Sequence, residues 1–261
     1  MLFRSLDTLG NRYTGRERLS GGIGFNSPLG MGDRLGLNGF VAERSDYVAA
    51  DYSLPIGNDG LRFGVNGSEL HYKLCCSFAA LGAKGDVRTA GANLSYPFIL
   101  SRTQSLVGGI GFERRHAVDD TNAGQTADRV IYATNVNLVW NVSDPWGGIN
   151  RLSGVFTQGR LDLSGNTGNA AADLGTVQTQ GTYTKLRSAY ARVQNWDRHQ
   201  LLFRLQGQWA GKNLDSSEKL SLGGYDGVRA YPQGEAAGDQ AGLATLEYAY
   251  ALPLKDRKSV V

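Results

Sequence analysis

The stretch KLSLGGYDGVRAYPQGEAAGDQAG, residues 219–242, guides the interpretation of the rest of the chain. A short amphipathic strand is predicted to end at Gly224, and an alternating strand is predicted over Leu243–Leu252. The polar segment between them, Tyr225–Gln240, has a length typical of functional or disordered loops. Because Gly, Pro and Tyr recur along it, we favour an ordered loop that folds back on its own scaffold. An exposed turn between two strands is the alternative.

A single arginine, Arg229, lies at the centre of this loop within Val228–Pro232. A charged side chain inside a fold is tolerated only when it is paired and hydrogen-bonded. A guanidinium suits this role because it binds a carboxylate through two parallel hydrogen bonds. We therefore predict that this segment folds inward and that Arg229 binds a nearby acid or water. The candidate acids are Asp226, Glu235, Asp239 and Glu247.

Residues 222–239 resemble a loop motif, L-G-G-x-x-x-V-R-G/A-Y/F-P-x-G-E-x-x-G-D, of the two-partner secretion transporters. These are the haemolysin secretion/activation family of bacterial outer membranes. A second segment, Asn11–Gly15 followed by Asn26–Leu35, resembles the first barrel strand and first periplasmic turn of that family. The two segments lie near opposite ends of the chain, in the order that the family has them.

The resemblance implies an integral outer-membrane translocator that exports a large haemolysin- or adhesin-type partner carrying an N-terminal secretion domain. It implies a monomeric barrel in lipid, with no cofactor and with transport driven by folding of the partner outside. In the family, the acid that binds the arginine lies on a strand after this loop, in sequence that this chain lacks. The transport-loop residues that it implies are Val228, Arg229, Ala230, Tyr231, Pro232, Gly234, Glu235, Gly238 and Asp239.

Composition agrees with one membrane-embedded β domain. The chain has 261 residues, 36 of them glycine, and a formal net charge of +3, which gives no reason to expect nucleic acid as a partner. No apolar run approaches the ~18 residues that a transmembrane helix needs. A mean hydropathy of −0.30 is nevertheless compatible with a barrel, because its strands alternate apolar and polar residues. The adjacent Cys75 and Cys76 are expected to remain unbridged and incidental.

The dominant sequence period is two, which predicts an all-β fold of about 12 antiparallel strands in a transmembrane β-barrel. Val130–Val142 is the clearest strand, and predicted strands run to about 10–13 residues, as a tilted membrane crossing requires. A soluble sandwich would show the same alternation in one strand. Predicted lipid-facing residues include Tyr132, Val136, Leu138, Leu205 and Leu246, and predicted lumen-facing residues include Asn135, Asn137, Gln206 and Glu247.

Predicted connections alternate between short and long, as they do between the periplasmic and external ends of outer-membrane barrels. The short ones are Ser27–Gly32, Asn58–Gly60, Ser101–Gln104, Ser143–Asn150 and Asp197–His199. The long ones are Cys75–Val87, Ala117–Asp128, Gly165–Thr182, Asn213–Glu218 and Tyr225–Gln240. The whole chain, residues 1–261, is predicted to be a partial, open barrel. Within it, residues 1–11 are expected to form a linker, residues 225–240 to fold into the lumen and residues 253–261 to form a ragged end. The resemblance implies that this part lacks the last barrel strands of the family and the POTRA domains that normally precede the barrel.

No catalytic or metal-binding pattern is found: G-x-S-x-G, P-loop and H-E-x-x-H motifs are absent, and the three histidines are far apart. The remaining constellation is a set of charges expected on a hydrated inner wall. The main wall candidates are Arg16, Arg18, Arg34, Arg204 and Glu247, accompanied by Arg12, Arg62, Arg115, Arg151 and Arg192. A translocator is the first hypothesis. A passive porin and a barrel-assembly insertase of the same superfamily are the alternatives.

Overall fold

A computed structural model describes residues 2–252 of the chain. Its strands are β1 (Leu2–Asp7), β2 (Arg18–Asn26), β3 (Arg34–Ala42), β4 (Ser45–Ile56), β5 (Leu61–Lys73), β6 (Lys84–Leu100), β7 (Gln104–Thr121), β8 (Gly124–Ser143), β9 (Gly148–Asp162), β10 (Gly181–Trp196), β11 (His199–Ala210), β12 (Leu220–Ser221), β13 (Ala237–Gly238) and β14 (Ala241–Tyr250). Helix α1 spans Thr167–Gly175, and short 3-10 helices span Cys76–Leu81 and Ser216–Glu218. No helix within residues 2–252 has the length and apolar character needed to cross a bilayer.

Twelve strands form one antiparallel sheet in the order β1 to β11 and then β14, while β12 and β13 pair separately. The all-β prediction and the strand count of about 12 are therefore confirmed. The predicted linker over residues 1–11 is wrong for Leu2–Asp7, because these residues pair with β2 from Leu2↔Ile23 to Asp7↔Arg18. The predicted ragged end, residues 253–261, lies outside the described residues.

The two faces of the sheet have opposite character, as β8 illustrates. Tyr132 and Leu138 on one face are 41% and 47% exposed, whereas Ile131 and Ala133 on the other are only 4% and 6% exposed. The exposed face carries large apolar side chains on many other strands as well. An apolar surface of this extent is unfavourable in water and is suited to hydrocarbon. The opposite face, called the inner face below, is the one that residues 211–240 cover.

We expect Leu138→Arg to destabilise the folded protein by ~2–4 kcal/mol, since it places a charge on the lipid-facing side of β8 between the exposed Val136 and Trp140. Asn137→Arg is the matched control, because the neighbouring residue of a strand points to the inner face. Denaturant unfolding of both variants in lipid vesicles measures the difference. Equal destabilisation by the two substitutions would contradict the assignment of the faces.

The alternation of short and long connections is observed, with one correction. The turns at one end of the sheet are short, for example residues 101–103 and 144–147, while residues 163–180 and 211–240 form long connections at the other end. The predicted long loop Ala117–Asp128 is instead the continuation of β7 and β8 around a turn at residues 122–123. Pairs between the two strands satisfy their polar side chains: His116 contacts Asp128 at 2.9 Å, and Arg129 contacts Asp119 at 2.5 Å. This pairing extends β8 to 20 residues, well beyond the predicted strand length.

The β5–β6 connection also differs from the sequence prediction. Cys75 and Cys76 form a disulfide with each other, although they were expected to remain unbridged. The 3-10 helix that follows places the Phe78 ring edge-on against Tyr13, with ring centroids 5.2 Å apart. The Cys75 amide also donates to the Tyr13 carbonyl oxygen at 2.9 Å. This connection therefore packs against the loop between β1 and β2.

Arg192 does not belong to the inner wall, where the sequence placed it. It lies directly opposite Phe203 of β11, and Phe203 is on the same face as the exposed Leu205. Arg192 Nη1 instead contacts Asp144 Oδ2 of the short β8–β9 turn at 2.5 Å. A paired arginine at the end of a membrane strand places its charge at the interface with water.

Candidate functional site on the inner face

Residues 211–240 connect β11 to β14, and an apolar contact fixes the first part of this segment to the inner face. Leu214 is 1% exposed and packs in a cluster with residues of β8, β9, β10 and β11. The other buried members are Ile131, Ala133, Leu161, Leu163, Tyr183 and Ala210. Burial of this cluster removes apolar surface from the hydrated side of the sheet, which holds the segment in place.

Next to this cluster, Glu218 forms a buried ionic anchor. Its side chain is 7% exposed, and its two carboxylate oxygens contact Arg115 Nη1 at 2.7 Å and Lys185 Nζ at 2.6 Å. The Tyr183 hydroxyl donates to the same carboxylate at 3.0 Å, and the Gln208 amide donates to the Glu218 backbone carbonyl at 3.1 Å. Contacts to β7, β10 and β11 thus converge on one residue of the segment.

A second acid, Asp215, docks beside Glu218. One Asp215 oxygen contacts Arg129 Nη1 of β8 at 3.2 Å, while the other accepts from the Ser217 amide at 3.0 Å. Burial disfavours the charged carboxylate, but the Arg129 charge and the hydrogen bonds from Ser217 outweigh it and hold the pKa of Asp215 below its ordinary value. The base of the segment is therefore bound to the wall in its ionised form at neutral pH.

Beyond this base, residues 220–238 form a compact arm with its own backbone hydrogen bonds. Strands β12 and β13 close the arm, and the Val228 amide donates to the Leu222 carbonyl oxygen at 2.7 Å. Gly224 has a φ of +111°, and a Cβ at Gly227 would collide with the Leu222 carbonyl oxygen. Both positions therefore require glycine. The predicted ordered loop that folds back on its scaffold is what the structure contains.

Arg229 lies near the tip of this arm and reaches β14. Its Nη2 donates to Glu247 Oε1 at 2.6 Å, through one hydrogen bond rather than a two-pronged pair. The side chains are 66% and 36% exposed, so the pair is hydrated. Glu247 was one of the four predicted acids, and it lies on the strand that immediately follows the loop.

The other three candidate acids have different positions. Glu235 contacts Arg12 at 2.9 Å, and Asp239 accepts from the Leu214 amide at 2.8 Å and lies 3.5 Å from Lys219 Nζ. Asp226 is exposed, and its backbone carbonyl lies 3.5 Å from the Gln206 side-chain nitrogen. The arm is therefore attached at several points, of which Arg229–Glu247 is the one at its tip.

The two sequence motifs at opposite ends of the chain meet in space. Besides the Arg12–Glu235 pair, the Asn11 amide donates to the Gln233 carbonyl oxygen at 3.0 Å. Two cavities, of about 470 and 730 Å³, adjoin this contact. Arg16 lines one cavity from the β1–β2 connection, together with Ala230, Tyr231 and Pro232 of the arm. The sequence resemblance covered both motifs but did not indicate that they touch.

The remaining transport-loop and wall candidates are placed as follows. Val228 and Tyr231 are 38% and 57% exposed, Gly234 has a φ of +88°, and Gly238 pairs with Leu220. Arg18 contacts Asp7 at 3.1 Å, and Arg34 begins β3. Arg16 lies in the connection between β1 and β2 rather than on a strand, where it lines the cavity beside the arm. Arg204 and Glu247 lie on the inner face, because their strand neighbours Gln206, Gln208 and Thr245 face the arm or its surrounding cavity.

The sequence prediction did not identify Glu218 or Asp215 as anchors of the segment. The only available signal was the concentration of two acids within Asp215–Glu218, opposite a wall rich in arginine. That signal is weak, because the arginine partners lie 86 and 103 positions away along the chain and Lys185 lies 33 positions away.

Comparison with known proteins gives consistent matches. The model for the haemolysin secretion/activation protein family ShlB/FhaC/HecB matches residues 2–258. The chain is 30% identical over 263 residues to the heme/hemopexin transporter protein HuxB of Haemophilus influenzae (strain 86-028NP), covering 98% of this chain and 46% of HuxB. It is 25% identical over 257 residues to the outer membrane transporter CdiB of Escherichia coli O6:K15:H31 (strain 536 / UPEC), covering 95% and 43%.

The solved structure of CdiB from Escherichia coli superposes with a TM-score of 0.80 at 22% identity, over 95% of this chain and 47% of that chain. At this identity the likeness shows the fold alone. The chain spans about half the length of the relatives that it matches.

Proposed function

Because the chain belongs to the haemolysin secretion/activation family of ShlB, FhaC and HecB, we propose that it forms part of an outer-membrane translocator that exports a partner protein. The partner would be a large exoprotein with an N-terminal secretion domain. It would cross in extended form, and its folding outside the cell would drive export. This proposal places the lipid-facing side of the sheet in the outer membrane and the inner face along the export path.

The observation that carries the proposal is the arm of residues 220–238 on the inner face. It presents the Val228–Pro232 motif beside a cavity of about 730 Å³, and its tip is attached to the wall by the hydrated Arg229–Glu247 pair. Hydrated pairs contribute little to stability, typically ~0–1 kcal/mol, so this attachment can be exchanged at small cost. An arm that is fixed at its base and weakly held at its tip is suited to a path that must admit a chain.

The experiment is an export assay in which this protein is produced together with an exoprotein that carries an N-terminal secretion domain. We expect the exoprotein in the medium only when the protein is present in the outer membrane. A passive porin would instead restore uptake of small solutes and leave the exoprotein in the periplasm. An insertase would change the abundance of unrelated outer-membrane barrels, and neither alternative predicts loss of one secreted protein.

A further inference from the structure

Three arginines of neighbouring strands project from the inner face without acidic partners among residues 2–252. Arg151 of β9 and Arg204 of β11 both lie directly opposite Ala191 of β10, so the small alanine separates the two guanidinium groups. Arg187 is four residues from Ala191 on β10 and therefore lies on the same face. All three side chains belong to exposed residues. They line one cavity of about 280 Å³.

These arginines differ from others on the same wall. Arg18, Arg115 and Arg129 each contact a carboxylate within 3.2 Å. By contrast, within residues 2–252 no carboxylate oxygen lies within 4.0 Å of the three arginines in the cavity, and Arg151 contacts only the Asn141 side-chain oxygen, at 3.1 Å. Like charges gathered on a low-dielectric wall repel one another and attract anions.

We propose that Arg151, Arg187 and Arg204 form an anion-binding groove that takes carboxylate-bearing segments of the extended polypeptide in transit; this rests on the proposed export function. Arg151 and Arg204 are two strand spacings apart, about 10 Å, which lies between the separations of carboxylates two and four residues apart on one face of an extended chain, about 7 and 13 Å. Asp226 of the arm lines the same cavity without contacting the arginines. Its carboxylate is placed to compete with an incoming acid while the arm is docked.

The groove is tested by protection of one cysteine in the protein embedded in outer-membrane vesicles. Ala191→Cys is introduced with Cys75→Ser and Cys76→Ser, and its reaction with N-ethylmaleimide is followed with and without a peptide of ten glutamates. We expect the glutamate peptide to slow labelling about tenfold at low salt and a ten-glutamine peptide to leave it unchanged. Asp226→Asn should strengthen the protection.

Two pairs of substitutions separate charge from fold. Protection should disappear in Arg151→Gln/Arg204→Gln and persist in Arg151→Lys/Arg204→Lys, with heat-modifiable gel migration confirming that both variants are folded. Asn38→Cys is the control site on the inner face of β3, because its register neighbours are the uncharged Gly22 and Ala49. It should show no difference between the two peptides.

Three outcomes would overturn the groove. The glutamate peptide would fail to protect Ala191→Cys, the glutamine peptide would protect it equally, or protection would persist after both arginine charges were removed. The labelling requires no export. Failure of the export assay with intact protection would therefore reject the proposed function and leave the groove, whereas normal export without protection would reject the groove alone.

Discussion

Arg229→Ala is expected to abolish export of the partner protein or to reduce it strongly, while the protein still reaches the outer membrane in folded form. The substitution removes the hydrogen bond from Arg229 Nη2 to Glu247 Oε1, the attachment of the arm tip to β14. Loss of a hydrated pair costs ~0–1 kcal/mol, too little to unfold the sheet. A strong export defect would therefore come from misplacement of the Val228–Pro232 motif. Secreted partner is measured against barrel abundance in the same cells.

Arg229→Lys is the graded control. Lysine keeps the charge but loses the planar fork of donors, so intermediate export is expected. Glu247→Ala should reproduce the defect of Arg229→Ala, and the exchanged pair Arg229→Glu/Glu247→Arg should restore part of the export. Unchanged export in Arg229→Ala would show that the attachment of the arm tip has no role in export. If Arg229→Ala reduced export but Glu247→Ala did not, and if the exchanged pair restored no export, Glu247 would not be the relevant partner of Arg229.

The sequence predicted those features that depend on local pattern. Alternation in β8 separated Tyr132 and Leu138 from Asn135 and Asn137, because side chains of a strand point to opposite faces in turn. The motif around Arg229 predicted an arm that folds inward, and Glu247 was one of the four acids predicted as candidate partners of Arg229. Both inferences depend on residues that are close together in the sequence.

The wrong predictions depend on contacts between distant residues. Polar residues of Ala117–Asp128 suggested a loop, but pairs such as His116–Asp128 make the same residues stable in a long hairpin. Leu2–Asp7 becomes a strand because β2 supplies its hydrogen-bonding edge and Arg18 pairs with Asp7. In both cases a tertiary or cross-strand partner overrides a weak local preference. The meeting of Asn11 with Gln233 likewise joins positions 222 residues apart.

The base of the arm is expected to be far more sensitive than its tip when stability is measured. Glu218→Gln leaves Arg115 and Lys185 without their shared carboxylate at a site that is 7% exposed. Breaking a buried pair from one side costs ~3–5 kcal/mol. Here Lys185 is the charge left without a carboxylate, because Arg115 keeps its contact with Glu113 at 2.6 Å. The segment should detach from the wall, and trypsin should then cleave at Lys219 in the folded protein. Export should fall as well.

Glu43→Gln is the matched control, because Glu43 is 71% exposed and contacts only its neighbour Arg44, at 3.2 Å, among the ion pairs of residues 2–252. It should leave both cleavage and export unchanged. Adding Lys185→Gln to Glu218→Gln should relieve part of the cost, since it removes the charge that Glu218→Gln leaves without a carboxylate. If Lys219 were as protected from trypsin in Glu218→Gln as in the unaltered protein, the role of Glu218 as an anchor would be rejected. Arg229→Ala should leave Lys219 protected from trypsin, because Glu218, Asp215 and Leu214 still hold the base of the arm. If the tip moves while the base stays fixed, substitutions at the tip must change export without exposing the base.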